Sequence, residues 1–501
     1  MLLARSILVL LAAPALAQPH PPDPPGSWHG LAGGGVRAGL SRAPLPSTAA
    51  ATWTRSTDAE GNAIAFIGQA PMAVSGTLVF AAGRVSPPGQ PANQARLMAF
   101  SRDTGEPAWW APVAAPVLDS CSGPALDPRE GTVLFASQRF IAAFDQGDGQ
   151  PRWQAQLARS VVNASPLVVN EPARPGRVFI TDFDGFGTSA SLYCIDAASG
   201  AVVWSVPIGG SSGNTPAYLP FARGGLGLVY VATSGGQVLA FDAFADTPPP
   251  PVFTFSNVTL EGFFGGLSVV PGRVNGEPPA LFAASYAFSG GMDAGNLVKI
   301  DGATGALRWS AACNRTQSIP IALPGGRIAL SAGILGFGTV PSVQVFTDHG
   351  ASASLVWDSA LATWTDLNGN GLLDAGEFTP IGGWTQQPVV STFAGRTLMS
   401  VGLIPAGGTF SSPSNDLFTL DLDAGAVLSH VTGAGGSPSA ASTGLASIGG
   451  AGLVWFGPTP AQLDSDGDGW IGVDDLYAAP GPALRDAMRA PEATAMIGGR
   501  P

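Results

Sequence analysis

The chain has 501 residues, 45% of them hydrophobic and only 12% charged, with a net charge of −12. A protein this rich in apolar residues is not disordered. Its acidic balance, with Lys299 as the one lysine, lacks the clustered cations that nucleic acid or an anionic membrane surface requires.

The N-terminus reads as an export signal over residues 1–17. Arg5 supplies the positive start, Ile7 to Ala13 a short apolar run, and Ala15-Leu16-Ala17 the small-residue cleavage site. The run is too short to span a bilayer, and no later unbroken run of about 20 apolar residues occurs, so no transmembrane segment is expected. Residues 18–50 form a Pro- and Gly-rich segment. Its first part, Gln18 to Ser27, reads as an extended linker. Trp28 to Gly39 follows, and Ala51-Thr-Trp53-Thr-Arg55 reads as a strand.

From there to about residue 458 one phrase recurs: an apolar strand ending in Asp, a Gly-bearing turn, then a Trp. It stands as Leu97 to Gly105 with Trp109-Trp110, and as Ile141 to Asp145 with Gly149 and Trp153. Leu192 to Asp196 follows, with Gly200 and Trp204. Val238 to Asp242 keeps the Asp, loses the Gly and runs into Pro248–Pro251. Leu297 to Trp309 is the fullest copy, with Asp301, Thr304 and Gly305. Val343 to Thr347 is degenerate but reaches Trp357, and Leu417 to Asp421 keeps Gly425 without a Trp. Each copy follows apolar strands such as Thr132–Ala136, Arg177–Thr181, Leu228–Ala232 and Arg327–Ser331. One repeat therefore holds about four short strands in roughly 45–50 residues, the size of a propeller blade.

The expected fold is all-β, a β-propeller of four-stranded blades. Near the end, Ser442–Gly449 and Leu453–Gly457 supply only two strands of a further blade. The strand at Thr52–Arg55 completes that blade and closes the ring, giving eight blades, with seven as the alternative. In this reading the repeated Asp residues (Asp145, Asp196, Asp242, Asp301, Asp421) form turns. The Trp residues pack the seams between blades.

The phrase Leu-x-Ala-Phe/Ile-Asp-x-x-Thr-Gly-x-x-x-Trp, over about residues 50 to 458, resembles the repeat of the pyrroloquinoline-quinone (PQQ)-like propellers. Trp28 to Gly39 with Trp53 is similar to the opening segment of bacterial members. The resemblance implies a fold shared by quinoprotein alcohol dehydrogenases and by a non-enzymatic outer-membrane assembly propeller. Those dehydrogenases carry adjacent cysteines beside the quinone and often a haem domain. Here Cys121, Cys194 and Cys313 are far apart in sequence and no haem motif occurs. The likeness therefore carries no quinone contact or catalytic residue onto this chain. Separated thiols read as small buried hydrophobes.

Two 12-residue stretches interrupt the repeat. Residues 366–377 place Asp366, Asn368, Asn370, the carbonyl of Leu372, Asp374 and Glu377 at positions 1, 3, 5, 7, 9 and 12. Gly371 stands at position 6. That is the oxygen-ligand spacing of an EF-hand calcium loop. It lies in an insertion at about 358–386, between Trp357 and Trp384. Residues 464–475, in a tail at 459–501, repeat the spacing with Asp464, Asp466, Asp468, the carbonyl of Trp470 and Asp475. Asp at position 12 resembles dockerin loops. Unpaired loops of this kind in exported proteins bind calcium at ~10⁻⁴–10⁻³ M, which suits structural ions.

Gly209-Gly-Ser-Ser-Gly213 matches a hydrolase nucleophile pattern, but no strand-to-helix elbow follows and the four histidines are scattered. The favoured reading is an exported, periplasmic or extracellular, non-catalytic propeller with calcium. Its partner would be a protein or polysaccharide of the cell envelope. The alternatives are a PQQ-dependent dehydrogenase and a cell-surface or glycan-associated attachment protein.

Overall fold

The computed structural model describes residues 27–457, apart from 42–44, 46–49, 68–69, 118–119, 121, 186, 212, 258–260, 273–276, 288–294, 336–338, 394, 405–413 and 442–443. The expected leader at 1–17 and the expected calcium loop at 464–475 lie outside the described residues.

Alternation of apolar and polar residues makes short strands, and the strands gather into eight antiparallel sheets. The eight-bladed propeller expected from the repeats is the fold. Blade 3 shows the plan. Leu167–Val169 lies innermost, then Arg177–Thr181, Ser191–Asp196 and Val202–Pro207, each paired to the next. Blades 4, 5 and 6 follow the same order. In blade 2 the two middle strands form one continuous extended stretch, Thr132–Asp145. Gln138 at φ 50° turns it back on itself, so that Gln146 N–H reaches the carbonyl of Gly131 at 3.0 Å.

Blade 8 closes the ring. Ala51–Arg55 pairs antiparallel with Gly452–Phe456, with Trp53 opposite Trp455. The C-terminal part supplies three strands, not the two expected. The one missed is Ser439–Ala441, three residues long and next to Gly444–Gly449. It is too short to leave a period-2 signature.

The seams repeat one device. The outer-strand Trp of one blade lies on the turn of the next and donates its indole N–H to a turn carbonyl. Trp53 bonds Arg102 O at 2.9 Å, Trp109 bonds Gln146 O at 2.9 Å, Trp153 bonds Ala197 O at 2.8 Å and Trp204 bonds Ala245 O at 2.9 Å. The turn Gly gives the ring its seat. A Cβ on Gly149, at φ 72°, would lie 2.4 Å from Trp109. Where the sequence lacks the Trp after Asp242, Phe253 takes its place, 2.4 Å from a Cβ built on Gly305. Blade 7 has no such plate, and its outer strand exposes Val427 and Leu428. The core is thus a series of clusters between neighbouring blades, the arrangement that stacked repeats require.

The turn aspartates act as expected. Asp145 Oδ1 accepts from Gly147 N–H at 2.8 Å, Asp196 from Ser199 at 3.0 Å, Asp242 from Phe244 at 2.9 Å. Asp301 accepts from Ala303 at 2.9 Å and Asp421 from Asp423 at 3.0 Å. At four of these positions the second oxygen takes an arginine: Arg152 on Asp145, Arg177 on Asp196, Arg308 on Asp301 and Arg396 on Asp421. Lys299 serves the same purpose. It pairs with Asp348 at 2.5 Å, and Asp348 also takes the indole N–H of Trp309 at 2.9 Å.

Candidate functional site

The insertion between blades 6 and 7 begins at the end of strand Ala353–Asp358. Asp358 caps a one-turn helix, Ser359–Thr363, by accepting from Ala360 N–H at 2.8 Å. The candidate calcium loop follows. Its backbone is held from inside by its own acidic ends. Asp366 accepts from Gly369 N–H at 2.7 Å and from Gly371 N–H at 3.0 Å, and Gly371 stands at φ 72°. Glu377 is buried to 7% exposure and accepts from Leu367 N–H at 3.0 Å and Trp364 indole N–H at 3.2 Å. Thr365 N–H meets the carbonyl of Glu377 at 2.8 Å and ties the two ends of the loop together.

Between those ends, Asn368 and Asn370 both donate side-chain N–H to Asp374 Oδ2, at 2.9 and 2.8 Å. These bonds hold the Asp374 carboxyl below the usual carboxylate range. The side chains of positions 3, 5 and 9 therefore converge. Turning either amide by 180° would present its oxygen in place of its N–H group. The candidate donors are all oxygens, three of them carboxylates, but among the described residues no three acidic, histidine or cysteine side chains gather to hold a metal ion. Leu367 and Leu372 stand outside the loop, 73% and 62% exposed.

The second region is the ring's centre. Innermost strands carry one row of backbone groups with no neighbouring strand. Residues 28–41, read from sequence only as a Gly-rich opening, lie along that row. Trp28 exchanges two bonds with Val74 of blade 1, at 2.7 and 2.8 Å. His29 O takes Leu126 N–H of blade 2 at 3.0 Å, Gly35 O takes Tyr218 N–H of blade 4 at 2.9 Å, and Val36 O takes Val269 N–H of blade 5 at 2.9 Å. Gly39 O takes Val390 N–H at 2.9 Å, and Leu40–Ser41 adds a parallel strand to blade 7. Arg37 is 2% exposed. It donates to the carbonyls of Pro166 (3.0 Å), Pro216 (3.2 Å) and Leu31 (2.8 Å). Burial pulls its guanidinium down to about 9. The signal available in the sequence was Trp28 followed by Gly30, Gly33, Gly34, Gly35 and Gly39 around one arginine.

At the starts of the inner strands, hydroxyls and amides link blade to blade. Gly123 N–H bonds Ser165 Oγ at 2.9 Å, and Ser165 N–H bonds Thr215 Oγ1 at 2.9 Å. Ile319 N–H bonds Gln387 Oε1 at 2.7 Å, and Gln387 N–H bonds Ser437 Oγ at 3.1 Å. Nearby, Tyr286 meets Trp384 edge to face at 5.2 Å, with Phe264 at 4.7 Å from Tyr286.

The other sequence candidates find structural places. Cys194 and Cys313 are free and buried in blades 3 and 5, and burial raises the Cys194 thiol to about 12. Cys121 lies outside the described residues. Ser211 of the hydrolase-like pattern is buried, and its backbone bridges Gly187 O and Ser234 N–H. No helix among the described residues is long and apolar enough to cross a membrane.

Comparison with known proteins agrees with this architecture. A family model described as outer membrane protein assembly factor BamB matches residues 42–174 and 137–246. A europium-containing methanol dehydrogenase superposes with a TM-score of 0.58 at 15% identity, covering 94% of this chain and 96% of that one. At this identity the likeness shows the propeller fold, and the BamB-type model covers residues 42–246 of it. A quinohemoprotein alcohol dehydrogenase from Pseudomonas putida HK5 gives a TM-score of 0.59 at 13% identity over 86% of this chain and 76% of that one. One from Comamonas testosteroni gives 0.56 at 11% over 91% and 85%. No curated protein sequence matches the chain.

A PQQ-like propeller need not hold the quinone. PQQ is a flat anionic cofactor and needs a free planar wall with cationic and cation-ligating neighbours. Here Tyr286, Trp384 and Phe264 pack on one another. The carboxylate of Glu261 is engaged by Ser285 (2.9 Å) and Asn296 (2.7 Å). These rings and this carboxylate are thus engaged with one another and with neighbouring protein groups.

Proposed function

We propose that this protein is an exported, non-catalytic propeller that serves as a binding scaffold in the cell envelope, with calcium as a structural ion. The observation that carries the reading is the employment of its reactive groups. The repeated carboxylates, the single lysine and the described thiols are each engaged in turns, seams or cores. Calcium would be held by Asp366, Asn368, Asn370, the Leu372 carbonyl, Asp374 and Glu377. A second ion would sit on Asp464, Asp466, Asp468, the Trp470 carbonyl and Asp475. The ions supply charge neutralisation that fixes each loop, not a reaction step.

The partner would be a protein or polysaccharide of the envelope. A pull-down from the native envelope fraction should return one dominant partner. The competing reading, a quinone-dependent dehydrogenase, is tested by adding PQQ and calcium to purified protein. The scaffold reading expects no quinone absorbance on the protein and no dye-linked alcohol or sugar oxidation. Stoichiometric quinone uptake would overturn it.

A further inference from the structure

We propose that residues 28–41 are a peptide ligand carried in cis, and that the ring's axis is a binding groove for a turn-rich, glycine-rich segment with one arginine. Three observations support this independently of the scaffold reading.

An innermost strand is an edge strand, and its free N–H and C=O groups invite another strand. The segment meets that demand in sequence order from blade 1 to blade 7: Val74, Leu126, Tyr218, Val269 and Val390 each bond to it. Only Leu40–Ser41 adds as a strand. Elsewhere the segment turns on itself through Gly33–Gly30, Arg37–Gly34 and Gly39–Ala32 backbone bonds and offers the blades single residues, a backbone-led mode of peptide capture. The register is pinned by Arg37, whose three nitrogens span carbonyls of blades 3 and 4 and of the segment itself. A planar guanidinium fork suits such divergent acceptors, and an ammonium does not. The backbone also comes too close for side chains. A Cβ on Gly30 would lie 2.9 Å from Pro124 O, and one on Gly39 would lie 2.7 Å from Ile321, with Gly39 at φ 63°. The groove therefore selects glycine at two places and arginine at a third.

The covalent tie to the ring runs through residues 42–50. If the segment is a ligand, the tie is dispensable once the complex has formed. The test inserts a protease site between Ser41 and Ala51 of the full chain and cuts the folded protein. The cut segment should co-elute with the ring in gel filtration. Labelled synthetic peptide 28–41 in excess should replace it. The Arg37→Ala peptide should compete at least about 100-fold less well, because charged hydrogen bonds are lost and buried carbonyls are left unpaired. The Arg37→Lys peptide should fall between the two. Amide exchange at Val74, Leu126, Tyr218, Val269 and Val390 should quicken when the cut segment is removed and no peptide is added. The ring itself carries no substitution in the competition, so a misfolded variant cannot mimic the result. Release of the cut segment with no change in Tm or in those amides would overturn the proposal. So would equal competition by the Arg37→Ala peptide.

Discussion

The seams between blades and the insertion between blades 6 and 7 use the same residue types for different ends. At a seam, Asp301 spends one oxygen on turn N–H groups and the other on Arg308. In the insertion, Asp366 and Glu377 turn inward on backbone N–H groups, and Asp374 gathers the amides of Asn368 and Asn370. The glycines differ in the same way. Gly149 is pressed against an indole, whereas Gly369 and Gly371 have nothing within 4 Å of a built Cβ. Periodic residues are consumed by packing, whereas the residues that break the period bond within their own loop.

That contrast can be broken most sharply at a seam Trp. Trp204→Ala removes a buried plate between blades 3 and 4 together with its bond to Ala245 O. The expected cost is about 3–5 kcal/mol in denaturant unfolding. Val427→Ala on the plateless outer strand of blade 7 should change stability by under about 0.5 kcal/mol.

The glycines sharpen it next. Gly149→Ala both clashes with Trp109 and strains a backbone at φ 72°, and should cost about 2–4 kcal/mol. Gly369→Ala, at φ 73° in open space, should cost only about 1 kcal/mol. Thermal melts of the two variants in calcium-free buffer compare them directly. Equal losses would erase the distinction between packed turn and open loop.

Acid comes third. Burial works against charge at Asp301, Asp348 and Asp421, but hydrogen bonds from arginine, lysine and turn N–H groups outweigh it and hold these carboxyls low. At Asp145 the Arg152 bond leads in the same direction. A lowered folded-state value means stability that is present above the unfolded carboxyl value, near about 4. It is lost as pH falls through the folded values. The ring should therefore loosen below about pH 4, and Asp301→Asn should flatten that acid limb in urea titrations. Lys299→Met should cost about 1–2 kcal/mol, since Asp348 keeps Trp309 and Gly350 as donors.

Much of this architecture was legible because a repeat writes itself several times. Asp, Gly and Trp at fixed offsets announced the blades, and the orphan strand at Thr52–Arg55 announced how the ring closes. What stayed hidden had no copy to be compared with. Phe253 replaces a Trp without keeping its chemistry. Ser439–Ala441 is too short to show alternation. The segment at 28–41 binds mainly through its backbone, so only its glycines and Arg37 hinted at a role. The insertion stood out for a different reason: its residues follow the 12-residue spacing that a calcium loop requires.

The central claim is that the chemistry of this chain sits where the repeat breaks, and calcium calorimetry tests it most directly. Full-length protein stripped of divalent ions should bind calcium, and Asp366→Ala should lose one site while keeping the wild-type circular dichroism spectrum. Unchanged stoichiometry in a folded Asp366→Ala protein would contradict the account.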